Sequence, residues 1–337
     1  MTDALPGAPI AISAGDPAGI GPEIIGKAWE ARAARGLSPF FAVGDAASFA
    51  PHWHGPVRQI SQPGEALGIF GDALPLLQVH DGSSTTPGKP DQDSAKCAFQ
   101  ALEIAVGLAR SGDASGVVTG PVSKARLYEV GFRHPGQTEF VAERCGVSRN
   151  NATMMLAAAD LRVVPITSHI PLAEVAEALN SALIEDKIRA TLKGLKRNFG
   201  ISHPRLAIAG LNPHAGENGN IGREEIDLFS PVIGRLKSEG IDISGPLSAD
   251  TLFHSRARSQ YDAVLCGYHD QALIPIKTLY FDSAVNITLG LPIVRTSPDH
   301  GTAFNIAGKN IANADSMIAA IKMAADAALH RKAFDPA

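Results

Sequence analysis

Cysteine is scarce in this chain. The three present, Cys97, Cys145 and Cys266, are far apart, odd in number and free of CxxC spacing, which argues against a disulfide framework and fits a reducing compartment. Basic runs are missing too: Lys and Arg never occur five together, and the formal net charge is −4, so nothing draws the chain to nucleic acid or anionic lipid. No uninterrupted apolar run approaches the roughly 18 residues of a membrane span. The opening "MTDALPGAPIAISAGD" carries no basic segment ahead of an apolar one. The expectation is an unexported, cytoplasmic protein with no membrane or nucleic-acid partner. GxxxxGK[ST] is absent, which removes the main support for nucleoside-triphosphate chemistry, and no HExxH marks a local metal site.

What is present is an ordinary globular composition over 337 residues, 45% hydrophobic and 19% charged. That length exceeds what one hydrophobic core usually serves, so two lobes or one large α/β domain are expected. Strand-length apolar runs recur and mostly end in Gly, Asn, Asp or His: "APIAISAGD", "PFFAVGD", "SGVVTGPVSK", "LRVVPITSH", "PRLAIAGLNPH", "DAVLCGYHD" and "AVNITLG". Between several of them, apolar residues at three- and four-residue intervals predict helices over 94–110, 183–195, 224–237 and 314–329. The alternation predicts an α/β fold with a largely parallel sheet shared by two lobes. Ligands of such sheets gather at the carboxyl ends of strands, so the polar residues closing these runs are the first candidates for chemistry.

The first motif is "GDPAGIGPE", Gly15 to Glu23, which half-matches GxGxxG but has Ile24 at the third glycine; a tight strand-to-helix turn is the simpler reading. Three histidines each close an apolar run: His169 in "ITSHIP", His214 in "LNPHAGENG" and His269 in "GYHDQ". Singly each reads as a core histidine. Together they suit a divalent ion with an open coordination position, assembled from distant segments. Asp250, Asp270, Lys277, Asn286 and Arg295 lie near other run ends, and "TGPVSK" adds a hydroxyl and a cation at a helix start. Either these are solvated or ion-paired residues, or they form a site for a small, anionic, oxygen-rich ligand. His300 sits in "SPDHGTAF", where a glycine would allow close approach of a cofactor or simply make a turn. The other histidines, His52, His54, His80, His134, His203, His254 and His330, read as surface residues.

In order along the chain, "GDPAGIGPE", "TGPVSK", "TSHIPL", "LNPHAGENG", "GPLSADTLF", "YDAVLCGYHDQALIPIKT" and "VNITLGLPIVRTSPDHGTAF" resemble the 4-hydroxythreonine-4-phosphate dehydrogenase family, from about residue 9 to residue 328. The resemblance implies the two-lobed fold of isocitrate and isopropylmalate dehydrogenases, with a mostly parallel sheet and an active-site cleft between the lobes. The lobes would be 1–140 plus 290–337 on the cofactor side, and 141–289 on the metal and dimer side. It further implies a homodimer with an active site shared across the interface, and one divalent ion, zinc, magnesium or cobalt, on His169, His214 and His269. Substrate contacts carry over to Gln137, Thr138, Lys277, Asn286 and Arg295. NAD⁺ or NADP⁺ would lie near His300, Gly301 and Asn305. Two residues depart from the family pattern. Gln137 stands in place of a substrate-contacting histidine, and an amide carries neither proton nor charge; Asn305 stands where Asp is common.

The implied reaction takes 4-phosphooxy-L-threonine, a small phosphorylated amino acid, by oxidation at its C3 hydroxyl and loss of CO₂ to 3-amino-2-oxopropyl phosphate, in pyridoxal phosphate biosynthesis. Lys277, with Asp250 or Asp270 nearby, is the candidate proton acceptor. Rival readings are a paralogous dehydrogenase of 4-phosphoerythronate, threonate or a dihydrodiol, a metal-dependent hydrolase built on the three histidines, and a phosphometabolite sensor without turnover.

Overall fold

Strands buried on both faces need no polar alternation, and the apolar runs of this chain become such strands. The structure, a computed structural model, describes residues 7–79 and 85–335; His80 lies outside the described residues. Twelve strands follow in chain order: β1 (Ile10–Ser13), β2 (Phe40–Gly44), β3 (Val57–Ile60), β4 (Leu74–Gln78), β5 (Val117–Thr119), β6 (Thr153–Ala158), β7 (Leu161–Pro165), β8 (Leu206–Ala209), β9 (Ile243–Leu247), β10 (Ala263–Cys266), β11 (Val285–Leu289) and β12 (Arg295–Pro298). The chain forms two units, Met1–Arg149 with Leu291–Leu329, and Asn150–Gly290 with His330–Ala337.

In the first unit the strand order is β3-β4-β2-β1-β5-β12, and every pairing is parallel. Ile10, Ile12, Phe40 and Phe41 are fully buried in it. The helix Gln92–Ser111 covers β1 and β2 with a face of small residues, Ala95, Ala98, Ala101 and Ala105, which lets helix and sheet approach closely. Its start is fixed by a capping box: the Asp91 carboxylate accepts from Ser94 N–H at 2.8 Å, and Ser94 Oγ accepts from Asp91 N–H at 3.0 Å. Gly112, with φ 88°, ends it.

In the second unit the order is β11-β6-β7-β10-β8-β9. Here β6 runs antiparallel to both neighbours, while β7, β10, β8 and β9 are parallel. The helix Ser181–Phe199 begins at Asn180, whose side chain accepts from Leu183 N–H, and stops at left-handed Gly200. The region expected as one helix over 224–237 divides into a π turn, Glu225–Phe229, and an α-helix, Ser230–Ser238. No described helix is long and apolar enough to cross a membrane.

One histidine reading is corrected. His52 is not on the surface but buried, with Nε2 donating to the Pro17 carbonyl at 3.0 Å. Its Nδ1 is enclosed with no hydrogen-bond partner among the described residues.

Candidate active site

The carboxyl ends of β7 and β10 bring two of the three histidines together. Ile166 N–H donates to Cys266 O, and Thr167 Oγ donates to Gly267 O at 2.7 Å, which locks the two strand exits side by side. Two residues after Thr167, His169 takes a left-handed backbone, φ 56°, a conformation that costs an L-residue free energy and often marks a functional position. His269 is the first residue of the helix His269–Tyr280, which is separated from β10 by Gly267 and Tyr268 rather than starting at the strand end itself. The two imidazoles lie 5.4 Å apart, centroid to centroid. They line a cavity of about 230 Å³ with Thr167, Ser168, Leu172 and Tyr268.

Asp270 Oδ1 lies 2.7 Å from His269 Nδ1. A carboxylate only accepts, so Nδ1 carries the hydrogen and Nε2 keeps its lone pair for a ligand or a metal. Behind them Gln271 acts as a brace: its Oε1 accepts from Gly267 N–H at 2.7 Å and its Nε2 donates to Gly210 O at 2.8 Å. It therefore pins the end of β10 to the end of β8. Sequence reasoning quoted Gln271 without assigning it a role, and its only signal was its place beside His269 and Asp270.

His214 follows β8 in a different setting. It is exposed and left-handed, φ 51°. The Ser248 hydroxyl, 2.6 Å from Asp250 Oδ1, is the main cause that holds the exposed Asp250 carboxyl below its ordinary range, with nearby His214 acting in the same direction. Among the described residues no group of three or more His, Cys, Asp or Glu side chains converges to hold a metal ion. The donor chemistry suits a divalent ion, but one chain brings together two imidazoles of the expected three. Lys277 sits on the same helix as His269, eight residues and about 12 Å further along its axis. Asn286, on β11, has its Oδ1 enclosed without a hydrogen-bond partner among the described residues.

The first unit gathers a second group. Arg295 opens β12 and is only 3% exposed. Its Nη2 donates to Thr119 Oγ at 2.8 Å and its Nη1 to Thr138 Oγ at 3.3 Å. Burial pulls the guanidinium down to about 10, with Glu139 opposing the fall. Gln137, the first residue of the helix Gln137–Arg144, donates from Nε2 to Gly120 O at 3.2 Å, which fixes the amide orientation; its Oε1 is enclosed without a partner among the described residues. So Gln137, Thr138 and Arg295 come together, joined by Thr119 from "TGPVSK". His300 turns Nδ1 toward the Gly301 carbonyl and has its Nε2 enclosed without a described partner, while Gly301 and Asn305 are exposed.

"GDPAGIGPE" is a tight turn. Gly15 has φ 75°, and the helix Gly21–Glu30 follows with Pro22 in its first turn. A Cβ on Gly21 would lie 2.0 Å from the Ala14 carbonyl oxygen, and one on Gly19 would lie 2.8 Å from that of Thr302. Both glycines are thus required by close approach of the protein's own backbone, which suits the tight-turn reading.

The chain is similar over nearly its whole length to proteins of known name. A 4-hydroxythreonine-4-phosphate dehydrogenase of Zymomonas mobilis is 57% identical over 326 residues, covering 97% of each chain. The crystal structure of a protein of the same name from Klebsiella pneumoniae matches with TM-score 0.86 and 36% identity, covering 97% of this chain and 99% of that one. A terephthalate 1,2-cis-dihydrodiol dehydrogenase from Burkholderia xenovorans matches with TM-score 0.65 and 28% identity, over 94% of this chain and 97% of its own. The sequence profile of the pyridoxal phosphate biosynthetic protein PdxA matches residues 39–324, and the chain belongs to that family.

Proposed function

We propose that the chain is the dehydrogenase that oxidises 4-phosphooxy-L-threonine at its C3 hydroxyl with loss of CO₂, giving 3-amino-2-oxopropyl phosphate, and that it works in the cytoplasm as a homodimer with NAD⁺ or NADP⁺. The observation that carries the reading is the His169–His269 pair facing one cavity, with His269 Nε2 kept free by Asp270. Full-length similarity to the Zymomonas mobilis enzyme supports this substrate over a dihydrodiol, whose dehydrogenase is only 28% identical.

His169, His214 and His269 are the proposed ligands of one zinc, magnesium or cobalt ion. At least one of them comes from the second copy, as the family resemblance implies, which suits the meeting of only two of these imidazoles among the described residues. Such an ion supplies Lewis-acid stabilisation of the negative charge that develops on the substrate oxygen. The rest is done by side chains. Arg295, held by Thr119 and Thr138, binds an anionic group of the substrate, with Thr138, Gln137 and Asn286 as further contacts. Asp270 is engaged with His269, and the Ser248 hydrogen bond makes Asp250 a weaker base. Both remain in the site as negative charges, and Lys277 accepts the hydroxyl proton. His300, Gly301 and Asn305 form the cofactor loop.

The test follows NADH absorbance with 4-phosphooxy-L-threonine and with 4-phosphoerythronate, before and after chelation and metal replacement. NADH from the first substrate, lost on chelation and restored by metal, is expected. Phosphate release without NADH would make the chain a hydrolase, and NADH from the second substrate alone would make it the paralogue.

A further inference from the structure

The segment that carries His214 has an unusual backbone. After Pro213, five consecutive residues lie in the left-handed region: His214, Ala215, Gly216, Glu217 and Asn218, with φ of 51°, 52°, 81°, 43° and 55°. Gly219 continues at 92°. Each L-residue held there costs free energy, and four of these five are not glycine, so local preference cannot be what forms the loop. Something outside it must.

The structure assigns that role to Glu225, a positioning residue for His214. Glu225 is only 3% exposed. Its Oε1 accepts from Asn212 N–H at 2.8 Å and its Oε2 accepts from Asn212 Nδ2 at 3.0 Å. The same Nδ2 donates to Glu224 at 2.7 Å, so Asn212 is gripped by two carboxylates immediately before the left-handed run. Oε2 also occupies the space beside Gly216, where a Cβ would come within 2.7 Å. The loop closes on itself through Ala215 N–H to Asn212 O and Ile221 N–H to Gly216 O. Glu225 thus fixes both the base of the loop and its midpoint. It opens the π turn Glu225–Phe229, an irregularity that proteins tend to keep at functional positions. A buried carboxylate satisfied by amides and placed against a strained loop is arranged to hold geometry, since a solvated glutamate would serve stability equally well.

The inference rests on His214 being a metal ligand, and the experiment separates the two. Titration of the metal-free full-length chain with Co²⁺, followed by its visible absorption, is carried out on the parent, His214→Ala, Glu225→Gln, and the double variant Glu225→Gln with Glu217→Gly. In Glu225→Gln one carboxylate oxygen becomes an NH₂ facing the Asn212 donors. Expected are a 10- to 100-fold weaker affinity and an altered spectrum, with faster hydrogen exchange of amides 214–218 in the metal-free protein. Glu217 is exposed and left-handed, so glycine there lowers the cost of the loop and is expected to restore affinity at least threefold in the double variant. Parent-like Co²⁺ binding by His214→Ala would overturn the ligand reading itself. Loss in that variant with parent-like affinity in Glu225→Gln, or absence of rescue by Glu217→Gly, would overturn the positioning role alone.

Discussion

Replacing Arg295 by Met tests whether the buried guanidinium serves the ligand or the fold. Burial takes its pKa from 12.5 to about 10, and at 1.36 kcal/mol per pH unit that places the cost of keeping it charged at about 3 kcal/mol. The charge is present in both folded and unfolded chains near pH 7, so this cost weighs against the free folded protein. Among the interactions offsetting it are the hydrogen bonds to Thr119 and Thr138, at 2.8 and 3.3 Å. Taken at about 1.5 kcal/mol each, the low end for a charged donor because one is long, they return about 3 kcal/mol. The two sums cancel. Arg295→Met, similar in length and apolar, should therefore unfold in urea within about 1 kcal/mol of the parent when no ligand is present. With 4-phosphooxy-L-threonine at a hundred times the parent's dissociation constant, ligand protection of the parent is about 2.7 kcal/mol. Loss of a buried charge partner weakens binding about a hundredfold or more, which cuts that protection to under about 0.5 kcal/mol. A variant that loses several kcal/mol without ligand, yet keeps the parent's protection, would show that Arg295 holds the fold and that the anion binds elsewhere.

Three further outcomes are expected. Gly21→Ala sets a Cβ 2.0 Å from the Ala14 carbonyl oxygen and should cost roughly 2–3 kcal/mol in urea unfolding; unchanged stability with weakened NAD⁺ binding would restore the dinucleotide reading of "GDPAGIGPE". His52 is held neutral chiefly by burial, so its folded pKa lies below 6.5 and the unfolded chain binds more protons in that window. Its contribution is complete above about pH 6.5 and is lost as pH falls below it, by at most about 1.4 kcal/mol per pH unit. Urea midpoints of the parent should drop more between pH 7.5 and 5.5 than those of His52→Gln, and equal drops would remove His52 as a cause. Gln137→His should add an inflection near pH 6.5 to kcat/KM that the parent lacks, and superimposable profiles would take residue 137 out of the substrate site.

The sequence shows a strand where burial alone makes it. β1, β2, β5, β7, β8 and β10 are mainly apolar runs, because a parallel sheet covered on both faces asks for little else, and β11, which pairs antiparallel with β6, is mainly apolar too. β12 could not be read this way. Three of the four residues of "RTSP" are polar, yet it is buried because Thr296 Oγ donates to Ala320 O and Arg295 bonds two threonines, partners at separations of 24, 157 and 176 residues that no local pattern reveals. β9, with Gly245 and Pro246, is tolerated only because it stands at the end of the strand order.

The site divides along the same line. That His169 and His269 follow strand ends was legible from hydrophobic runs, and their meeting follows from β7 and β10 being neighbours in parallel register, Val164 beside Leu265. What was not legible is the backbone that aims them. Left-handed positions are ordinarily signalled by Gly or Asn, whereas here they fall also on His169, His214, Ala215 and Glu217, where the residue types give no hint of it. Such conformations exist only because buried groups elsewhere over-determine them: the Thr167–Gly267 bond before His169, and the Glu225–Asn212 grip before His214. A sequence names the ligands of a site through their chemistry. The residues that hold those ligands in place are chosen by tertiary hydrogen bonding, so Gln271 and Glu225 emerge only when the strands are set side by side.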